Sequence, residues 1–378
     1  MPKNPDPRRK WRRLHEWPAA YRQIWQEATA PGDDLDETRY GKSLRPPSLD
    51  TVARNFGRWL TFLDGRGELD DRVPPGQMVT PARVADYLRE LQEMKYSMQS
   101  ILMAISGITC AMKIFAPAQD WRWVWAPNGV KLAPHLKGPR KEFPVPHPSE
   151  LYGWGLELLT QADAQKRLQR RLAQYRDGLI ICLLASRAIR RHSFAAMQIG
   201  KHLLRSTDGW RLIFEPEDVK NHRWIEFDAP KTLTPWINRY VSEIRPALLL
   251  RSMKSATSSG IAKAGDALWV SSDGTALTEA SLTGAMWNRS GRKFAQPFAT
   301  HRFRHAIGTH APVDDPENPG ISTSLLSIGA RMHEKHYNRA RDHIAETKYY
   351  GAIEEERRKS KSLAKRLIAQ SRESNEET

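Results

Sequence analysis

The chain has 378 residues, 40% of them apolar and 27% charged, which excludes a disordered chain and leaves room for two or three domains with buried cores. Lys and Arg number 59 against 43 Asp and Glu, a formal net charge of +16, which favours a polyanionic partner, nucleic acid or an anionic membrane surface. No uninterrupted run of eighteen apolar residues occurs, which speaks against a membrane span, and the basic N-terminus MPKNPDPRRKWRRLHEW lacks the apolar centre of a secretion signal. The only cysteines, Cys110 and Cys182, lie in apolar segments and read as reduced, buried core residues. A cytoplasmic, nucleoid-associated protein is the expectation, with DNA as the leading partner.

Residues 1–48 are rich in proline and charge and read as a basic extension of mixed order, in which DPRRKWRRLHEWPAAYRQIWQEATA suits a helix broken at Pro18. Arg8, Arg9, Lys10, Arg12 and Arg13 surround Trp11, a pattern that suits either a DNA-binding arm or a disordered basic tail. The thirteen tryptophans often stand beside arginine; they would stack on bases or, more plainly, pack beneath arginine stems. From Leu49 a helix is expected, capped by Ser48 or Asp50, with Val52, Phe56, Trp59, Leu60 and Leu63 on one face and a stop at Gly65. Thr80 and Pro81 open a second helix, and SMQSILMAISGITCAMKIFA forms a third, apolar enough to be central. Residues 49–130 therefore read as a compact helical domain. Residues 131–147 form a basic, proline-rich linker whose Lys137, Arg140 and Lys141 suit a phosphate backbone.

A second domain is expected over 148–352. Pro148-Ser149-Glu150 opens a helix, and YRDGLIICLLASRAI reads as a buried one. GWRLIFEPEDVKNHRWIEFDAP alternates apolar residues on either side of a polar turn at Glu217 to Asn221, the signature of a β-hairpin or small meander. Helical segments return from Leu277. Residues 353–378 read as an amphipathic helix with an apolar stripe of Leu363, Leu367 and Ile368, followed by a polar tail.

This second domain holds the groups needed to break and rejoin a DNA strand without a metal. A tyrosine can attack phosphorus and store the bond in a covalent intermediate. Arginines can neutralise the non-bridging oxygens as charge builds, and a lysine or histidine can protonate the departing 5′-oxygen. No carboxylate cluster suits a metal, so neither a metal nor another cofactor is expected.

The arrangement resembles the tyrosine recombinases, the phage-integrase family. ATHRFRHAIGTHA is similar to their His-x-x-Arg box, at His301 and Arg304, and HEKHYNRA resembles the segment around their nucleophile, at Tyr337. SRAIRRHSFAAMQIGKHL resembles the first-arginine box; Arg190 matches because Phe194 and Met197 then take its apolar positions, with Ser193 where a Glu is common and Arg187 and Arg191 as competitors. EPEDVKNHRWIEFDAP resembles the hairpin with the catalytic lysine, placing Lys220 there with Lys231 nearby. Ser327 stands where the family usually has His or Trp, His333 lies too near Tyr337 to replace it, and Tyr349 and Tyr350 are rival nucleophiles placed late. His305 and His310 read as packing residues.

The resemblance implies a mainly helical fold with a small β-sheet: a helical, SAM-like core-binding domain and an α+β catalytic domain closing as a C-shaped clamp on DNA. It also implies a site-specific recombinase, the integrase of a mobile element, acting as a tetramer through a 3′-phosphotyrosyl intermediate, with accessory DNA-bending or directionality proteins as further partners. Arg190 and Arg304 would grip the phosphate, His301 would bond it or move the tyrosine proton, Lys220 would act as general acid, and the tail helix would dock on a neighbouring protomer. Two rivals share these residues: a recombinase-fold DNA-binding regulator with weakened cleavage, which Ser327 favours, and a type IB topoisomerase.

Overall fold

The computed structural model describes residues 6–30, 40–134, 136, 145–254, 264–315, 317, 318, 320–327, 353, 355 and 358. Two compact units divide the chain, Met1–Glu142 and Phe143–Thr378.

The first unit is helical: α1 (Ala19–Thr29), α2 (Pro46–Gly65), α3 (Pro75–Met78), α4 (Pro81–Glu93) and α5 (Met98–Phe115). Local signals set most of these limits. The Thr80 hydroxyl accepts from the Arg83 N–H with Pro81 in the first turn of α4, and Ser97 accepts from the Ser100 N–H at the start of α5. Helix α2 begins earlier than the Ser48 or Asp50 cap implied, at Pro46 after Arg45, with no side-chain cap. Pro46 and Pro47 have no N–H to satisfy, and the Ser48 N–H bonds the Arg45 carbonyl at 2.8 Å, so no side-chain cap is required there.

Helix α5, though interrupted by polar residues, is long and apolar enough to cross a membrane by length and composition alone. Here it packs on α2 at the centre of the unit, with Ile101, Ile105, Ile108 and Met112 buried. The packed unit also reaches back before residue 49. Trp17, Tyr21 and Trp25 are buried, and the Trp17 ring lies 5.1 Å from Phe56 and 5.3 Å from Trp25. Gly57 permits this: a Cβ there would stand 2.1 Å from the Arg12 carbonyl oxygen, so only glycine lets the N-terminal segment lie against α2.

The second unit contains α6 (Pro148–Thr160), α7 (Leu168–Ser186), α8 (Arg191–Ala195), strands β1 (Leu203–Ser206), β2 (Gly209–Phe214) and β3 (Ile225–Asp228), then α9 (Thr234–Arg239), α10 (Arg245–Lys254), α11 (Glu279–Lys293), α12 (His301–Asp314) and α13 (Ile321–Leu326). The strands form one antiparallel sheet in the order β1-β2-β3, with Leu203 opposite Leu212 and Phe214 opposite Ile225. Helices α6 and α7 cross closely at Gly155 and Gly178; a Cβ on either would stand within 2.9 Å of the other helix's carbonyl oxygen. Around that crossing Tyr175, Ile180, Cys182, Leu184 and Phe303 are fully buried. Cys182 is thus the core residue expected, whereas Cys110 is only half-buried and its sulfur accepts from the Tyr40 hydroxyl at 3.1 Å.

A buried charge network ties α7 to α11. Asp177 takes Arg176 on one oxygen at 2.6 Å and Arg289 on the other at 2.9 Å, while Arg176 also donates to the Val270 carbonyl at 2.7 Å. Each charge finds an opposite charge or dipole, as burial demands.

Candidate active site

The end of α7, the sheet, the start of α12 and the end of α13 meet at one place in the second unit. Helix α7 stops at Ser186, and the extended residues that follow deliver Arg190 to the N-cap of α8. Its Nη1 donates to the Asn221 side-chain oxygen at 3.0 Å, and its Nη2 reaches the Ser327 carbonyl at 3.5 Å. The Asn221 amide donates to that same Ser327 carbonyl at 2.8 Å. Arg304, one turn into α12, is 7% exposed. Its Nη2 donates to the Leu326 carbonyl at 2.7 Å and its Nη1 to the Ala188 carbonyl. The two guanidiniums therefore converge on consecutive carbonyls, 326 and 327. Ser327 itself ends α13 in the left-handed conformation, φ 48° and ψ 57°, which turns its carbonyl toward the arginines' side of the helix end.

The competing cations have other partners. Arg191 pairs with Glu279 on α11 at 2.8 Å, and Glu279 also takes His192 at 2.7 Å. These bonds, His192 first, hold the Glu279 carboxyl below its ordinary range. Arg187 lies over the Phe227 ring at 4.6 Å and reaches the Ser324 carbonyl at 3.4 Å; burial lowers its pKa. Lys231 pairs with Asp208 at 3.1 Å.

Lys220 is exposed in the turn between β2 and β3, one residue before Asn221. His301 is exposed at the first position of α12, its ring 4.7 Å from that of His305. His310 bonds the Val145 carbonyl at 3.0 Å, a packing role. Tyr337, His333, Tyr349, Tyr350, the linker residues Lys137, Arg140 and Lys141, and the stripe of Leu363, Leu367 and Ile368 lie outside the described residues.

In the first unit, the N-terminal arginines largely serve their own fold. Arg8 pairs with Asp6 at 2.8 Å, Arg12 with Asp64 at 2.6 Å, and Arg9 bonds the Met94 carbonyl at 2.5 Å while lying over Tyr96. Lys10 and Arg13 sit on the same segment.

Asn221 is the site residue that sequence reasoning missed. In the sequence it is only the last residue of a polar turn, and its one local signal is its place beside Lys220. The carbonyls of Ala188, Leu326 and Ser327 carry no sequence signal.

No known family model matches the chain, and no curated protein matches it in sequence. Solved structures do match. The XerH site-specific recombinase bound to its difH substrate, in a pre-cleavage complex, is 12% identical over 87% of this chain and 97% of that one, with a TM-score of 0.51. The Tn1549 transposon integrase in complex with circular intermediate DNA is 11% identical over 85% of this chain and 98% of that one, with a TM-score of 0.48. The XerA recombinase is 12% identical over 87% and 98%, with a TM-score of 0.37. On the XerH likeness, the chain has the tyrosine-recombinase fold, mainly helical with a small antiparallel sheet.

Proposed function

We propose that the chain is a site-specific DNA recombinase that cleaves and rejoins strands through Tyr337. The observation that carries this reading is the convergence of Arg190 and Arg304, from segments far apart in sequence, on the carbonyls of residues 326 and 327. Two guanidiniums beside a lysine-bearing turn suit a phosphodiester, whose two non-bridging oxygens each accept charged donors. The net charge of +16 and the substrate-bound state of XerH favour DNA as the partner.

In the proposed reaction the Tyr337 oxygen attacks phosphorus and forms a P–O bond, its proton passing to His301 or solvent. The bond from phosphorus to the 5′-oxygen breaks, and that oxygen takes a proton from the Lys220 ammonium. Arg190 and Arg304 hold the non-bridging oxygens. Attack by the free 5′-hydroxyl of a partner strand reverses the step. Assembly as a tetramer on DNA and the role of an integrase belong to this proposal.

A suicide DNA duplex, nicked beside the scissile phosphate and drawn from sequence flanking the gene, tests it. Wild type is expected to form a covalent adduct on a denaturing gel, and Tyr337→Phe none. Specific binding without an adduct would replace this reading with the DNA-binding regulator. Ser327 favours that second reading, because a hydroxyl replaces the longer imidazole or indole donor. Loss of one such donor costs roughly 10²–10³ in rate, which slows a recombinase without abolishing it.

A further inference from the structure

The residues on either side of Lys220 are tied down. Asp218 ends a short 3-10 turn, and its carbonyl accepts from the Ser193 hydroxyl at 2.6 Å. Its carboxylate accepts from Lys201 at 2.8 Å, from the Glu215 N–H at 3.2 Å, and faces His202 Nε2 at 3.2 Å. Val219 is buried in the core of the unit. Asn221 is held by Arg190 at 3.0 Å and by the Ser327 carbonyl at 2.8 Å. His222 then takes a left-handed φ of 48° and its N–H bonds the Val219 carbonyl at 3.1 Å, closing the turn. Of the four residues 218–221, three are anchored and Lys220 alone is exposed.

Both main anchors lead to one short stretch of chain. Ser193 lies three residues after Arg190, on α8, and is only 3% exposed. Asn221 bonds Arg190 itself. A solvated lysine at a hairpin tip needs none of this, since such tips are ordinarily the most variable part of a strand pair. Resting on the recombinase reading above, we infer that Ser193 and Asn221 are positioning residues. They hold the Lys220 turn in register with Arg190, so that the proton donor and one arm of the phosphate grip reach the substrate as a single piece. Neither residue touches the reacting atoms. Ser193 acts on the turn without touching the Arg190 guanidinium, which makes it the cleaner of the two to test.

The test measures single-turnover adduct formation on two suicide duplexes. One carries the natural 5′-oxygen leaving group, the other a bridging 5′-sulfur, which departs as a thiolate without needing a proton. Ser193→Ala is expected to slow the oxygen substrate by about 10- to 10²-fold, the range that misplacement of a catalytic group by about 1 Å produces, and to leave the sulfur substrate near the wild-type rate. Lys220→Ala gives the reference pattern for loss of the proton donor. Thermal melting reports whether Ser193→Ala folds; if it does not, Asn221→Ala, in a partly exposed turn, is read instead, and the larger part of its defect should vanish with sulfur. A wild-type rate on oxygen would overturn the inference. Equal slowing on both substrates would also overturn it, while leaving the recombinase reading intact. No adduct from wild type on either duplex would overturn both.

Discussion

Two short basic runs, Arg8 to Arg13 and Arg187 to Arg191, look alike in sequence and end up in different chemistry. In the first, Arg8, Arg9 and Arg12 turn back onto their own unit, to Asp6, to Met94 and Tyr96, and to Asp64. In the second, three arginines take three sets of partners: Arg187 Phe227 and Ser324, Arg190 Asn221 and Ser327, Arg191 Glu279. The first run lies along a helix surface, where neighbouring carboxylates and rings take up its arginines. The second sits where a helix ends and the chain changes direction: Arg187 and Arg190 both reach the β2–β3 hairpin and the end of α13, Arg190 at Ser327, while Arg191 turns away to α11. Charge density marks a run; the turn of the backbone selects the residue.

The sharpest way to break this comparison is to ask whether the first run is structural. Trp17→Ala removes the ring that the N-terminal segment buries and should cost about 3–5 kcal/mol in denaturant unfolding, the usual range for a buried tryptophan. A loss confined to DNA affinity, with stability unchanged, would restore the arm reading. On the second run, Arg190→Ala should slow adduct formation by about 10²–10³, while Arg191→Ala, three bonds of chain away in register but paired to Glu279, should stay within about threefold. A reversal of that order would move the site to Arg191.

A smaller effect tests how the Lys220 turn is anchored. Burial lowers the His202 pKa below its usual 6.5, against the opposing pull of Asp218. Its Nδ1 accepts from the Gln198 N–H at 3.0 Å, which assigns the neutral ring with its proton on Nε2 toward Asp218. The unfolded chain therefore protonates this ring first. Its contribution to stability is present above about pH 6.5 and is lost as pH falls through the folded value. Melting temperature should drop more steeply between pH 7 and 5 in wild type than in His202→Gln; parallel curves would remove His202 from the anchor. The smallest effect is expected at Arg12→Ala. Its pair with the half-exposed Asp64 is a surface contact worth roughly 0.5 kcal/mol, read as a small shift in melting temperature with adduct formation unchanged.

Much of this was legible in the chain. Helix α4 begins at its sequence signal, Thr80-Pro81, because a cap is a bond between near neighbours, and α5 covers the apolar stretch expected of it. The β2–β3 turn also followed from local pattern, whereas the preference for Arg190 over Arg187 and Arg191 came from the resemblance and stands as part of the proposal. A helix after Pro18 was legible, but not that Trp17, Tyr21 and Trp25 join it to the packed unit, because their charged and proline-rich surroundings read as an extension outside the domain. Strand β1 was not singled out, since Leu203–Ser206 is too short to show a period.

By itself the sequence determined the helical character, the basic charge, and the succession of arginine, lysine, His-x-x-Arg and tyrosine segments, each of them a pattern carried by residues a few positions apart. Only the tertiary structure decided that Arg304 bonds the Ala188 carbonyl 116 residues away, that Asn221 bonds the Ser327 carbonyl 106 residues away, and that Ser193 reaches the turn of Lys220. The acceptors there are backbone carbonyls, which every residue has, so no choice of side chain announces them. They become specific only when folding brings two helix ends and a β-turn to the same corner.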